Sequence, residues 1–253
     1  MEGMFFLLFV VVALGMLAFG VLLYYQEKQR REDLRSVAGK LGFSFSPEGD
    51  PYLLGRLGQF HLFSQGRSRK VRNLMRGEIQ EIAVSLFDYR YKTGSGKHSH
   101  THDQTVVLFE SERLELPFFT LRPEGLFHKM AGALGYEDID FDGSPAFSDA
   151  YLLKGTDEDQ IRAIFGPEVQ AYYTRHGHLW TEGEGGRLVH YHADRRVDPE
   201  RIDSWLQEGL DVLDLFLEKE EGSGILSLWG LDLAGVARDV KLGEASGSRA
   251  TNT

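Results

Sequence analysis

The stretch EIAVSLFDYRYKTGSGKHSHTHDQTVVLFES, Glu81 to Ser111, decides the fold. Its ends, EIAVSLFDYRY (Glu81 to Tyr91) and TVVLFES (Thr105 to Ser111), are rich in β-branched and aromatic residues, the composition of strands that pack on a core. Between them KTGSGKHSHTHDQ is polar and carries Gly and Ser, as a connection between antiparallel strands requires. A long β-hairpin is expected, and a hairpin of this length needs further strands and a covering layer of helices to bury its apolar side chains.

The flanks supply both. Upstream, FSF (Phe43 to Phe45) and FHLF (Phe60 to Phe63) suggest short strands, and downstream LPFFTLR (Leu116 to Arg122) suggests another. Pro123 and Glu124 open an expected helix over EGLFHKMAGALG, which ends near Gly135. DIDFDGSPAFS (Asp138 to Ser148) is rich in turn formers and marks a division of the domain. AYLLKG (Ala150 to Gly155) follows as a strand, then Thr156 as the cap of a helix over Asp157 to Phe165, then a helix from about Pro167 to Tyr173. HLWTE and RLVHYH form a hairpin across GEGG. Asp198 and Pro199 start a long helix whose Ile202, Trp205, Leu206, Leu210, Leu213 and Leu217 make one apolar stripe, the mark of packing on a core. The expected class is α+β: an antiparallel sheet with a long hairpin and a long C-terminal helix, following one N-terminal transmembrane helix.

That first helix is MFFLLFVVVALGMLAFGVLLYY, Met4 to Tyr25, with no charged side chain. A hydrocarbon core about 30 Å thick needs about 20 apolar residues in helical form, and backbone amides in lipid must be satisfied within the helix. Tyr24 and Tyr25 stand where an aromatic belt is expected. A cleaved signal peptide would need a basic start, a shorter apolar core and a small-x-small cleavage site; here only Met1, Glu2 and Gly3 precede the run, and bulky residues follow it. Lys28, Arg30, Arg31 and Arg35 lie just beyond the run, with no Lys or Arg before it. The positive-inside rule then places the larger part of the chain in the cytoplasm, with the helix in the inner (plasma) membrane. Beyond the membrane, Gln26 to Leu41 continues as an amphipathic helix, with Leu34, Val37, Ala38 and Leu41 on one face. The expected organisation is a transmembrane helix at 4–25, a membrane-proximal helix at 26–41, a strand-rich subdomain at 42–142, an α/β subdomain at 143–220 and a partly disordered tail at 221–253.

Composition narrows function. The 253 residues carry a formal net charge of -10, which argues against general nucleic-acid binding. The absence of cysteine excludes disulfides, thiolate metal sites and cysteine catalysis. GSGK (Gly94 to Lys97) is not a phosphate loop, because Tyr91 stands where its first glycine belongs and His98 where Ser or Thr belongs.

Two groups of residues invite chemistry. His98, His100 and His102 alternate in KHSHTHD, and alternate residues on a strand share a face. His176, His178, His190 and His192 would share a face if the GEGG turn is centred near Glu184, which sets His178 opposite His190 and His176 opposite His192. Neutral imidazoles suit zinc, copper or nickel, and either cluster also titrates near neutral pH. Against metal binding stands the ordinary placement of histidines at an exposed hairpin tip or on an amphipathic face. The second group is RSRKVRNLMR, in which Arg67, Arg69, Lys70, Arg72 and Arg76 fall without an acid among them. Beside a membrane such a patch suits anionic lipid headgroups, at about 1 kcal/mol per basic residue near the surface.

FDYRYKTGSGKHSHTHDQTVVLF and LPFFTLRPEGLFHKMAGALGYEDIDFDGSPAFSDAYLLKG, with FGPEV and the elements after it, resemble a group of uncharacterised bacterial proteins that carry an N-terminal membrane helix and a domain of unknown function. The resemblance covers about Leu41 to Leu217 and implies a bacterial membrane protein with an α+β domain; it brings no catalytic residues. The leading expectation is a non-enzymatic tethered domain, without cofactor, that binds a protein partner or the membrane surface. The alternative is a metal sensor or metal-dependent enzyme, with zinc on the histidines.

Overall fold

The computed structural model describes residues 2–124 and 137–217. The helix expected over EGLFHKMAGALG, apart from Glu124, and the tail expected from residue 221 lie outside the described residues.

The chain is an α+β fold built on one eight-stranded antiparallel sheet. Helix α1 (Glu2–Lys40) leads into β1 (Ser44–Ser46), the helical turns α2 (Leu53–Arg56) and α3 (His61–Ser64), then β2 (Arg67–Ile79) and β3 (Ile82–Thr93). After a 3-10 turn come β4 (His100–Glu110) and β5 (Leu116–Pro123), then α4 (Pro145–Ser148) and β6 (Tyr151–Gly155). Helices α5 (Glu158–Ile164) and α6 (Pro167–His176) precede β7 (Trp180–Gly185), β8 (Arg187–Tyr191) and α7 (Ile202–Asp214). The strand order is β1-β2-β3-β4-β8-β7-β5-β6, so the late hairpin β7–β8 is inserted between β4 and β5. The sheet therefore runs unbroken across the boundary expected between residues 142 and 143.

The expected hairpin is present as β3 and β4, from Ala83 opposite Glu110 to Thr93 opposite His100. It lies in the middle of the sheet and is buried on both faces. Along β3, Val84 and Leu86 join a core with α1, α5, α6 and α7, while Phe87, Tyr89 and Tyr91 join a second core under α2 and α3. The stripe expected on α7 is buried in the first core throughout. FHLF, expected as a strand, is instead the helical turn α3: its run of apolar residues has no period of two, and Phe60 and Phe63 cover the second face beside Phe87 and Tyr89. The cap of α5 is Asp157 rather than Thr156, with Oδ1 accepting from the Gln160 amide at 3.0 Å.

One helix among the described residues is long and apolar enough to cross a membrane, and it is α1. Its apolar stretch touches no other part of the fold, and its second half is fastened to the sheet. Leu34 and Ala38 enter the first core. Arg30 forms a fork on Asp88, with Nη2 and Nε donating at 2.8 and 3.0 Å, and its Nη1 donates to the Val197 carbonyl at 2.8 Å. Asp88 also accepts from Asn73 Nδ2 and Thr105 Oγ1, each at 2.9 Å, and from Arg196 at 3.4 Å. Asn73 reaches it because β2 bulges between Arg72 and Met75, where Asn73 takes φ +50°. Burial favours the neutral acid, but Arg30, Arg196 and Asn73 outweigh that and hold the Asp88 carboxyl below the usual carboxylate range.

Removing one partner of this buried pair leaves the other uncompensated. Asp88→Ala is expected to cost about 3–5 kcal/mol of unfolding free energy, and Arg30→Lys less, since the ammonium keeps the charge and loses the fork. Denaturant unfolding of the full-length protein in detergent micelles checks both; a loss below about 1 kcal/mol for Asp88→Ala would refute the assignment.

Candidate functional site

The contacts of α1 give the sheet a direction. The Phe43 amide donates to the Ala38 carbonyl at 2.8 Å, the Arg35 guanidinium lies 5.3 Å from the centre of the Phe45 ring, and Arg31 pairs with Glu48 at 3.7 Å. From Phe43 to Glu48, through β1, the chain therefore runs back along α1 toward its apolar half. Antiparallel pairing makes β2 run away from that half, β3 toward it, β4 away and β8 toward it. The end of the sheet nearest the apolar helix thus holds the start of β2, the β3–β4 turn and the segment after β8. Arg196 in that last segment pairs with Glu27 at 3.1 Å, two residues beyond Tyr25.

The expected basic patch divides along this axis. Arg67 lies opposite Lys92 and braces the turn through the Gly94 carbonyl and Ser99. Arg69 donates to the carbonyls of Phe63 and Ser64 at 2.8 Å, closing α3 onto β2. Lys70, Lys92 and Lys97 are exposed and make no ion pair among the described residues. Arg72 is half-buried, and Arg76 lies further up the strand, bound to Asp50 at 2.7 Å. Arg67, Arg69 and Lys70 are thus at the end near the helix, joined by Lys92 and Lys97, and Arg76 is a structural ion pair.

The histidines also divide. His98 is exposed in the 3-10 turn. His100 and His102 share a strand face as expected, with rings 4.6 Å apart. His102 is buried against Tyr91, and its Nδ1 and Nε2 stand 2.7 Å from Asp194 and 2.8 Å from Thr93. The late cluster requires a correction. Pairs Thr181–His190 and Glu184–Arg187 centre the turn on Gly185–Gly186, not near Glu184. Gly185 takes φ +55°, and the Gly186 carbonyl accepts from the Ser111 amide at 2.9 Å, so the two glycines select the turn. The shift changes the parity of the pairing. His176 ends α6, where its ring stacks on Tyr172, and His178 lies in the connection before β7 at φ +58°. Neither meets His190 or His192.

His190 and His192 are joined instead by Glu208 from α7. Glu208 Oε1 stands 3.2 Å from His190 Nε2 and 2.8 Å from His192 Nε2. Trp205 stacks on the His190 ring and meets the His192 ring edge-on. Burial pushes the His190 imidazole down from its ordinary value. For Glu208 burial acts upward, but the two histidines outweigh it and bring the carboxyl to about 2. Beside this cluster lies a cavity of about 220 Å³ whose lining includes His192, Arg195, Arg196, Arg201, Trp205 and Glu208. Sequence alone hid Glu208 within the amphipathic pattern of α7; its place one turn after Trp205 was the available signal.

On the opposite face, a second polar group is buried under α3. Glu182 accepts from Tyr191 Oη at 2.9 Å and from the Leu62 amide at 3.0 Å. Burial raises its carboxyl to about 7 against the pull of Tyr191, the Leu62 and His61 amides and Arg122. Nearby, burial and Arg122 bring His61 down to about 4.

No family model and no curated protein matches the chain. Among solved structures, the crystal structure of the mycobacterial trehalose monomycolate transport factor A, TtfA, is similar, with a TM-score of 0.54 and 16% sequence identity over 77% of this chain and 98% of that one. At that identity the likeness shows a shared fold and nothing further.

Glu182 predicts a pH dependence. Its folded value lies above its unfolded value of 4.5, so the stability it contributes is complete below pH 4.5 and is lost as pH rises through about 7. The interval corresponds to about 3 kcal/mol. His61 acts in the opposite sense, so the informative quantity is the difference between the wild type and Glu182→Gln. That difference is expected to grow in favour of the variant between pH 5 and 8 by about 2–3 kcal/mol; parallel stability profiles would contradict it.

Proposed function

We propose that this is a single-pass membrane protein whose α1 remains as an uncleaved anchor and whose α+β domain stands in the cytoplasm, with the helix-proximal end of its sheet against anionic lipid headgroups. The direction of the strands carries this reading. From Asp88 to Thr93 strand β3 advances about 16 Å toward the apolar half of α1, whereas Arg30 lies only about 7.5 Å along the helix from Tyr25. Even a strand crossing the helix at about 45° descends about 11 Å, which brings the β3–β4 turn to the level where the apolar run ends. Lys70, Lys92 and Lys97 are then within reach of phosphate groups, and their charge is not consumed by the fold. Each contributes about 1 kcal/mol at an anionic surface, within a screening distance of about 8 Å.

Uncleaved retention is supported by the continuity of α1, which runs from Glu2 to Lys40 without interruption and is locked to Asp88 beyond the apolar stretch. Orientation rests on Lys28, Arg30, Arg31 and Arg35 on one side of that stretch. A protein partner on the hairpin Glu81 to Ser111 is less favoured, because β3 is paired with β2 and β4, and β4 with β3 and, from Val106 to Glu110, with β8. The fold shared with a transport factor fits a membrane-associated accessory protein and adds no substrate.

In nanodiscs containing phosphatidylglycerol, the amides of the turn Gly94 to Ser99 of the full-length protein are expected to exchange more slowly than in phosphatidylcholine discs, and the triple variant Lys70→Gln/Lys92→Gln/Lys97→Gln to erase the difference. Equal exchange in the two lipids refutes contact with anionic headgroups. Orientation is checked separately: a C-terminal epitope after Thr253 is expected to survive protease added to intact spheroplasts, and its digestion there would reverse the topology.

A further inference from the structure

We propose that His190, His192 and Glu208 form a binding site for a zinc-type divalent metal, with an open coordination position toward the cavity lined by Arg195, Arg201 and Trp205. The inference goes beyond contact with lipid and does not depend on it.

The donor set is two imidazoles and one carboxylate, which suits zinc and leaves a fourth position for water. Metal–ligand bonds of about 2.0–2.1 Å in a tetrahedron set ligand atoms about 3.3 Å apart. Here Glu208 Oε1 lies 3.2 Å from His190 Nε2 and 2.8 Å from His192 Nε2, and all three donor atoms fall within 4.8 Å of one another. Zinc would replace the shared Nε2 protons, open the Glu208–His192 edge by about half an ångström and require Arg195 Nη1, 3.5 Å from His192 Nδ1, to move aside.

The surroundings hold the donors in place. Thr181 Oγ1 stands 3.3 Å from His190 Nδ1 and accepts from Tyr173 Oη at 2.8 Å, which orients the ring so that Nε2 faces Glu208. Trp205 stacks on His190 and limits rotation of both rings. His190 and His192 are two apart on one face, at the end of β8 and just beyond it, and Glu208 comes from the middle of α7, so regular elements fix two of the three donors. His100, His102 and Asp194 form a second group of donors, but His100 and Asp194 are exposed.

The test uses full-length protein without a polyhistidine tag, stripped with chelator and titrated with zinc by calorimetry at pH 7.5. One equivalent is expected to bind. His192→Ala and Glu208→Gln are expected to weaken it at least tenfold, and His100→Ala to leave it unchanged. No binding by the unsubstituted protein, or binding lost in His100→Ala and kept in Glu208→Gln, overturns the site. If either ligand variant fails to fold, cobalt bound to the unsubstituted protein decides: the intense visible bands of four-coordinate cobalt support the site, and the weak bands of six-coordinate cobalt overturn it.

Discussion

The fork of Arg30 on Asp88 is the constraint on which the rest of the molecule depends. It is the point where a helix of 39 residues, apolar for its first half, meets a sheet that is buried on both faces. A carboxylate in such a position is costly unless every oxygen is occupied, and Asp88 is served by Arg30, Asn73, Thr105 and Arg196 together. That arrangement fixes the height and rotation of the domain relative to the apolar helix. The polarity of each strand then follows from antiparallel pairing alone, and with it the end of the sheet at which charges collect.

Much of the fold was legible in local pattern. The apolar run, the β3–β4 hairpin and the stripe on α7 each announce themselves within one element, because burial leaves a period in the sequence. What was not legible depends on pairings across long separations. Arg30 and Asp88 are 58 residues apart, and before folding Arg30 is one more basic residue beside a long apolar run. The insertion of β7–β8 beside β4 sets Val107 against His190, and no local signal marks that pairing. FHLF misled because three apolar residues around one histidine are too few to show a period.

The histidines show the same limit at finer scale. The expectation that HxH pairs share a face holds for His100 with His102, on one strand. For the late cluster the outcome turned on a shift in the centre of the GEGG turn, where two glycines rather than the glutamate occupy the turn. A hairpin register is decided by the turn backbone, so a shift in its centre exchanges which side chains meet. His176 and His178 were lost from the cluster because β7 begins only at Trp180, and Glu208 replaced them from α7, one turn after Trp205.

One short segment ties these features together. In HADRRV, His192 to Val197, His192 bonds Glu208 of α7, Asp194 bonds His102 of β4, and Arg196 reaches Glu27 of α1 as well as Asp88. The Val197 carbonyl accepts from Arg30, its amide donates to Thr105 Oγ1, and the Arg195 carbonyl accepts from the Thr105 amide at 3.1 Å. The segment has no regular structure, so its backbone groups are free to take these partners. Helix α1, both histidine groups and the arginine-lined cavity are therefore successive contacts of six residues. Tilting α1 relative to the sheet would strain Glu27–Arg196 and Arg30–Val197 first, and both of those residues are within five positions of His192. The position of α1 and the geometry of the His190–His192–Glu208 group are thus set by the same stretch of chain.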